Sequence, residues 1–488
     1  MRYRLATFVG VALAAAAPAS AQLQPPVFLE QVSTVTGYVY DLDLGDVNGD
    51  GLLDLGALSS PQHYEVHFGL GDGSFLPGIP HSLIASSGIW STTLADATGD
   101  GLADLLVVGP MAVYLEQSNG DGTFLPLGQY SHFSGDGNEV IVVDMNHDGI
   151  RDLVIVAGDW FPGGVTVWLG VGGGVFDSKY QLPANPYMDA PYTVEAADIH
   201  GDGHLDLVCR DYVNKISVVR GQGDGTLQPA APISLSSGTS ATFADLDVDG
   251  LPDVVTTSGM QLKACLNQGD GTFAPPLLST GATATYHVPI DDLNGDGLPD
   301  AALVVAGVLS VSLGRGDGTF EDPLATPMAG WPSLVRTADL DRNGSADLIA
   351  LDYVAHTVSA LVNQLPAWPW KLVGTGLAGV GGVPRLHGAG SLLAGSPFAV
   401  TLSHALPDAP AFLVGGTTAV SAPFKGGVLL PLPSRIWPLL TDGNGQATLT
   451  GTTPTGWPSH TTFQLQAWIP DAGPQGFAAT NGLSGTIR

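Results

Sequence analysis

Basic side chains and cysteine are scarce in this sequence. Lysine and arginine together number 16 in 488 residues against 46 aspartates and glutamates, for a formal charge of −30. A surface so acidic and so poor in cations excludes a partner held through its phosphates, so no nucleic acid is expected. No amphipathic basic helix points to a membrane surface. Cysteine occurs twice, at Cys209 and Cys265, at different positions in their repeats, so two buried thiols are expected in preference to a disulfide, although export would permit one. Long apolar runs are absent too. The one candidate, Leu5–Ala17, follows Arg2 and Arg4, precedes the small-residue pattern "ASA" at Ala19–Ala21, and is too short to span a bilayer. It reads as a secretory signal peptide over residues 1–21, cleaved near Ala21, with export to the medium or the cell surface and no membrane span. Also missing are a G-x-S-x-G elbow, an H-E-x-x-H motif, a phosphate loop and a Cys/His cluster, so no enzyme chemistry is expected. The twelve histidines are scattered, and His63 and His356 read as surface or packing residues.

Glycine and proline, by contrast, are abundant, at 66 and 36 residues, as many short strands joined by turns require. The acidity is also concentrated. The nonapeptide "DVNGDGLLD" (46–54) recurs as "DATGDGLAD" (96–104), "DMNHDGIRD" (144–152), "DIHGDGHLD" (198–206), "DLDVDGLPD" (245–253), "DLNGDGLPD" (292–300) and "DLDRNGSAD" (339–347). These seven segments hold 22 of the 46 acidic residues, which solubility alone does not require. The loops recur at a mean spacing of about 49 residues, within the range of a propeller blade with several strands per unit. After each loop come two β-branched runs, such as "LVIVAG" and "VTVWLG". A glycine turn follows them in six of the seven repeats, in forms such as "GDGTF" (120–124) and "GGGVF" (172–176).

The expected fold is therefore all-β: a seven-bladed β-propeller over residues 22–366, with four strands per blade and the acidic loop joining the first two. The seventh repeat runs into "QLPAWPW" where its turn and outer strand belong, so Val27–Thr34 are expected to supply that strand and close the ring. Residues 367–385 read as a Gly/Pro-rich linker, and "GTGLAG" (374–379) as a join or hairpin with no βαβ unit around it. Alternating segments over residues 386–488 read as a small C-terminal β-sandwich.

The loops suit calcium, which takes six to eight oxygens in flexible geometry. Positions 1, 3, 5 and 9 offer side chains, position 7 a carbonyl, and the glycine at position 6 a sharp turn. An EF-hand would need a glutamate at position 12, where these repeats have Ala57, Thr256 or Leu303. The candidate ligands are Asp46, Asn48, Asp50 and Asp54; Asp96, Thr98, Asp100 and Asp104; Asp144, Asn146, Asp148 and Asp152; Asp198, Asp202 and Asp206; Asp245, Asp247, Asp249 and Asp253; Asp292, Asn294, Asp296 and Asp300; and Asp339, Asp341, Asn343 and Asp347. Up to seven calcium ions, mainly structural and weakly held, follow. The fifth loop should bind best, with a fourth carboxylate at Asp247. The second and fourth should bind worst, with Thr98 and His200 at position 3.

These motifs resemble the FG-GAP, or VCBS, repeats of integrin α-subunit propellers and of many secreted bacterial proteins, over about Pro26 to Leu365. The resemblance implies a non-catalytic binding or adhesion protein. Sugar-binding lectins occur among such propellers, and a secreted polysaccharide hydrolase or lyase is the alternative. The expected partner is an extracellular protein or glycan, met by a monomer. Aromatic residues fall at the end of the repeat opposite the acidic loops: Tyr40, Trp90, Tyr192 and Tyr286 six residues before a loop, and Trp160, Phe161, Tyr212 and Tyr353 between second and third strands. They form the candidate ligand face, because aromatic rings stack on sugars and anchor interfaces.

Overall fold

The second strand of each repeat is buried along nearly its whole length, polar residues included, as the computed structural model shows. In Asp104–Val108, Leu105 and Val107 pack toward the preceding repeat and Leu106 and Val108 toward the following one. The structure describes residues 25–486 apart from 36–38, 61–62, 85–88, 90, 133–136, 159–162, 184–189, 212–214, 229–230, 233–240, 259–260, 282–287, 353, 365–369, 374–383, 391, 393–395, 404, 418, 425–426, 432–433, 444, 454–461, 471–476 and 481. The segment read as a signal peptide lies outside the described residues.

Among the described residues, seven antiparallel sheets of four strands succeed one another. The first comprises Asp41–Gly45, Asp54–Ser60, His63–His67 and Ile79–Ser82; the second, Ser91–Ala95, Asp104–Val108, Ala112–Ser118 and Phe124–Ser131. The third to sixth repeat this order, starting from Gly137–Val143, Pro191–Ala197, Thr242–Ala244 and Ile290–Asp291. The seventh takes Leu334–Ala338, Asp347–Asp352 and Thr357–Asn363 from the end of the repeat region and its outer strand, Phe28–Thr34, from the start. That strand pairs from Phe28 opposite Asn363 to Thr34 opposite Thr357. The pairing is extended by Gln364 N–H to the Val27 carbonyl at 2.7 Å.

Among the described residues, seven apolar clusters lie between the sheets, one at each junction. Val156 and Val165 of the third sheet meet Val194 and Cys209 of the fourth, and Ala302 and Val311 of the sixth meet Leu348 and Ala350 of the seventh. The last junction joins the ends: Leu42, Leu55 and Ala57 of the first sheet pack with Ile349, Leu351 and Val358 of the seventh. The sheets thus form a closed ring, a β-propeller. Cys209 and Cys265 are free, buried in separate clusters, and burial pushes their thiols up to about 12 and about 11.

Beyond the ring, Trp370–Val373, inside the segment read as a linker, forms a strand paired with Gly482–Thr486. It is an edge strand of a six-stranded sheet. A three-stranded sheet, Arg385–Gly390, Pro397–Ser403 and Ala447–Thr452, shares one apolar core with it, built from Leu386, Val400, Leu402, Leu413, Leu465 and Ile469 among others. "GTGLAG" lies outside the described residues.

Candidate functional site

Each acidic loop connects the first and second strands of a sheet and is folded by its own carboxylates. The aspartate at position 1 accepts backbone N–H groups from the middle of the loop: Asp245 from Asp249 at 2.7 Å and Gly250 at 2.8 Å, and Asp292 from Gly295, Asp296 and Gly297 at 2.8–3.0 Å. Such turns need a left-handed residue, and the glycine at position 6 supplies it in all seven loops, from Gly51 (φ 80°) to Gly344 (φ 83°). At position 4 the third, fifth and seventh loops place His147, Val248 and Arg342 in the same region, with φ between 57° and 60°. For β-branched Val248 this is a strained conformation.

Position 9 has a role that the sequence reading missed. Asp54, Asp104, Asp152, Asp206, Asp253, Asp300 and Asp347 are all fully buried. Each clamps the buried residue at position 2 of its loop to the end of the third strand. Asp54 accepts N–H groups from Val47 and Gly69, both at 2.9 Å; Asp152 from Met145 and Gly170, both at 2.8 Å; and Asp347 from Leu340 and Asn363, both at 2.7 Å. Asp300 accepts three, from Leu293, Asn294 and Gly314. In three repeats the third-strand residue also stitches to the preceding sheet. The side chains of Ser118, Asn267 and Asn363 donate to the carbonyls of Val47, Ile199 and Leu293 at 2.7–2.9 Å.

Burial, with neighbouring carboxylates adding to it, pushes these latches up: Asp54 and Asp347 to about 6, Asp253 to about 7 and Asp300 to about 8. Asp245 and Asp292, at position 1, are pushed to about 6 by the same causes. A cation among them would offset both.

Two loops bring three carboxylates close enough to hold a metal ion. In the fifth, ligand oxygens of Asp245, Asp247 and Asp253 lie within 4.8 Å of one another, and in the seventh those of Asp339, Asp341 and Asp347 do the same. These are the loops with aspartate at position 3. In the seventh, Asp339 Oδ1 is buried with no hydrogen-bond partner, an acceptor that a cation would satisfy. The all-oxygen donor set fits a hard cation. In the first, third and sixth loops Asn48, Asn146 and Asn294 take position 3, and each donates its amide to the aspartate at position 5 at 3.0 Å. The fourth loop differs: His200 Nδ1 lies 2.7 Å from Asp206 Oδ2, so an imidazole engages the oxygen that a metal would need.

A second acidic group sits on the inner strands, where the first strands of successive sheets approach one another. Asp43 accepts from Thr92 Oγ1 at 2.8 Å, Glu139 from Val194 N–H at 2.7 Å and Glu195 from Phe243 N–H at 3.3 Å, each tying one sheet to the next. Burial, opposed in part by Arg336, pushes Glu139 to about 7 and Glu195 to about 8.

At the opposite end of the strands, Tyr40 is 45% exposed and Tyr192 39%, the latter under the Arg210 guanidinium at 5.0 Å. Trp90, Trp160, Phe161, Tyr212, Tyr286 and Tyr353 lie outside the described residues. The structure adds Trp331, 69% exposed, which the six-residue spacing missed because it stands eight residues before its loop. Its N–H donates to Asp352 Oδ2 at 2.8 Å, and its ring lies against the Gly307 turn, where an added Cβ would come within 2.6 Å of it. Met111 and Val354, in turns between second and third strands, and Val308, the first residue of a third strand, are exposed at the same end.

A closed ring of four-stranded sheets carrying an acidic loop at one repeat position defines a repeat β-propeller. The chain belongs to the FG-GAP-like repeat family, whose profile matches residues 46–107, 96–155, 144–209, 198–256, 245–303 and 292–350, each match running from one acidic loop through the next. No curated protein matches the sequence. Among solved structures, a lectin from Agrocybe aegerita that recognises non-reducing terminal N-acetylglucosamine is similar at 20% identity and a TM-score of 0.47, over 59% of this chain and 80% of the lectin. Sqt1 of Saccharomyces cerevisiae is similar at 12% identity and a TM-score of 0.45, over 70% of this chain and 100% of Sqt1. The Tc holotoxin pore of Photorhabdus luminescens is similar at 15% identity and a TM-score of 0.36, over 92% of this chain and 26% of that one. Among the described residues no helix is long and apolar enough to cross a membrane.

Proposed function

We propose that this chain is an exported, calcium-stabilised propeller that binds an extracellular glycan or protein and does no chemistry on it. The observation that carries this reading is the division of labour between the two ends of the ring. At one end, acidic loops gather oxygens around potential cation sites. At the other, Tyr40, Tyr192 and Trp331 stand exposed. Calcium occupies the fifth and seventh loops first, where a third carboxylate converges, and the fourth last, where His200 engages Asp206. Its role is structural: each ion neutralises carboxylates and fixes the turn between a sheet's first two strands. An exposed tryptophan anchored through its backbone presents a rigid apolar surface at little entropic cost, which suits the face of a sugar ring.

The test is binding to a glycan array in millimolar calcium, with Trp331→Ala and Tyr192→Ala beside the wild type. Loss of binding in these variants at an unchanged melting temperature supports the reading. Binding that survives both substitutions refutes the assigned face. The hydrolase or lyase reading draws on the inner carboxylates, since a pair such as Glu139 and Glu195 held near neutrality suits acid–base work. In both residues one oxygen already accepts a backbone N–H of the next sheet. Release of reducing ends from a polysaccharide panel, lost in Glu195→Gln, would favour that alternative.

A further inference from the structure

We propose that the C-terminal module docks a second copy of itself, through the outer face of its six-stranded sheet at the Arg435–Leu440 edge. Alternation divides the residues of that sheet between two faces. Ala411, Leu413, Trp437, Leu439, Leu465 and Ala467 enter the core shared with the three-stranded sheet. The other face is apolar as well. Phe412, on Pro410–Gly416, stands between Trp468 of Thr462–Pro470 and Pro438 of Arg435–Leu440. Pro410 stands opposite Leu440, and Val414 opposite Ile436. A sheet that is apolar on both faces needs both of them covered.

Cover on this face stops partway across. Trp468 and Val414 are buried, in a small cluster with Ala479 and Phe477. Phe412 is 38% exposed, Ile436 56% and Leu440 69%, and Pro410 and Pro438 are exposed beside them. These five side chains make one contiguous strip without a charge in it. The strip is not a template for strand addition. Thr441 N–H donates to the Ala409 carbonyl at 3.0 Å, so by alternation Leu439 and Trp437 bond inward. Ile436, Pro438 and Leu440 then turn their backbone groups to the edge that no described strand pairs. Pro438 has no N–H to offer there, which blunts pairing with another strand. What the strip lacks is a second layer.

Charge identifies that layer. Residues 386–488 hold three acidic side chains, Asp408, Asp442 and Asp471, against Lys425, Arg435 and Arg488, so the module is formally neutral in a chain of −30. Two rings repel one another, and two modules do not. The edge strand also has opposite charges at its ends. Arg435 is exposed at one; at the other Asp408 and Asp442 are exposed side by side, joined by Asp408 N–H to the Asp442 carbonyl at 3.0 Å. Laid antiparallel on its own copy about a two-fold axis, the strip sets each Arg435 toward the aspartate end of the other, while the apolar residues meet face to face. A strongly charged partner gains nothing from so neutral a surface. The chain is therefore a dimer in place of the monomer expected from the sequence, whatever the ring binds.

The test is sedimentation velocity of the full chain in millimolar calcium over a concentration series. The expected result is a monomer–dimer equilibrium whose dissociation constant rises by more than about 10-fold in Ile436→Glu and in Leu440→Glu, each of which buries a charge against the partner's strip. Both side chains are exposed in the single chain, so the core is kept, and an unchanged melting temperature verifies that the variants fold. Arg435→Asp makes both ends of the strand negative and should weaken the dimer by about 3-fold or more at low ionic strength. Leu278→Glu, on the outer strand of the fifth sheet and 54% exposed, is the control and should leave the dimer intact. A monomer at every concentration, or a monomer that instead floats with phosphatidylcholine vesicles, would overturn the proposal. So would a dimer that survives both Ile436→Glu and Leu440→Glu, one as tight in Arg435→Asp as in the wild type, or one lost in Leu278→Glu.

Discussion

Replacing Asp300 by alanine tests whether the buried aspartate at position 9 is a structural latch independent of any metal. Its carboxylate accepts backbone N–H groups from Leu293 at 3.0 Å, Asn294 at 3.1 Å and Gly314 at 2.8 Å, and it is fully buried. Alanine leaves all three donors without a partner. A buried donor left unsatisfied costs about 1–3 kcal/mol, and water reaching the vacated space recovers part of it. The expected loss is therefore about 3–6 kcal/mol. Asp300→Asn keeps the size and one acceptor oxygen but turns an NH2 toward the remaining donors, so it should recover only part of that loss. Urea unfolding followed by far-ultraviolet circular dichroism, in calcium and in chelator, measures both variants. A loss that persists in chelator separates the latch from metal binding. A loss below about 1 kcal/mol in both conditions would refute the latch, because it would mean that the loop closes as well without it.

Three further outcomes follow from the same geometry. In chelator the protein should melt at a lower temperature at pH 8 than at pH 5. Asp54, Asp253, Asp300 and Asp347 have folded-state values of about 6 to 8, above the 3.8 of the free group, so their contribution is complete below 3.8 and is lost as pH rises through 6 to 8. Calcium should flatten that slope, and melting in chelator that rises steadily from pH 5 to 8 would contradict the assignment. Deleting residues 22–34 removes the seven-residue outer strand of the seventh sheet and should lower the melting temperature by about 5 °C or more, with an unchanged melt the opposing result. Val248→Asn relieves a β-branched residue at φ 57° and should raise stability by about 1 kcal/mol, measured by urea unfolding; a loss of stability would show that Val248 is not strained.

What could be read from the sequence was what repeats. The acidic loops, the buried second strands and the glycine turns recur at fixed offsets, so their periodicity carries the ring and its loops. Position 9 could be found but its work could not: an aspartate that closes a loop by accepting N–H groups has the same spacing as one that ligates a metal, and only the register with the third strand separates them. The inner-strand carboxylates escaped because they do not share a repeat position. Glu139 stands five residues before its loop, and Asp43 and Glu195 three before theirs. Trp331 fell two residues outside the aromatic spacing.

The central claim is that the acidic loops hold calcium, and a structure determined in millimolar calcium tests it most directly. The account predicts ions coordinated at about 2.3–2.6 Å by Asp245 and Asp247 in the fifth loop and by Asp339 and Asp341 in the seventh, with the fourth the last to fill. Ordered loops without ions in both the fifth and the seventh, together with a melting temperature that chelator leaves unchanged, would contradict it.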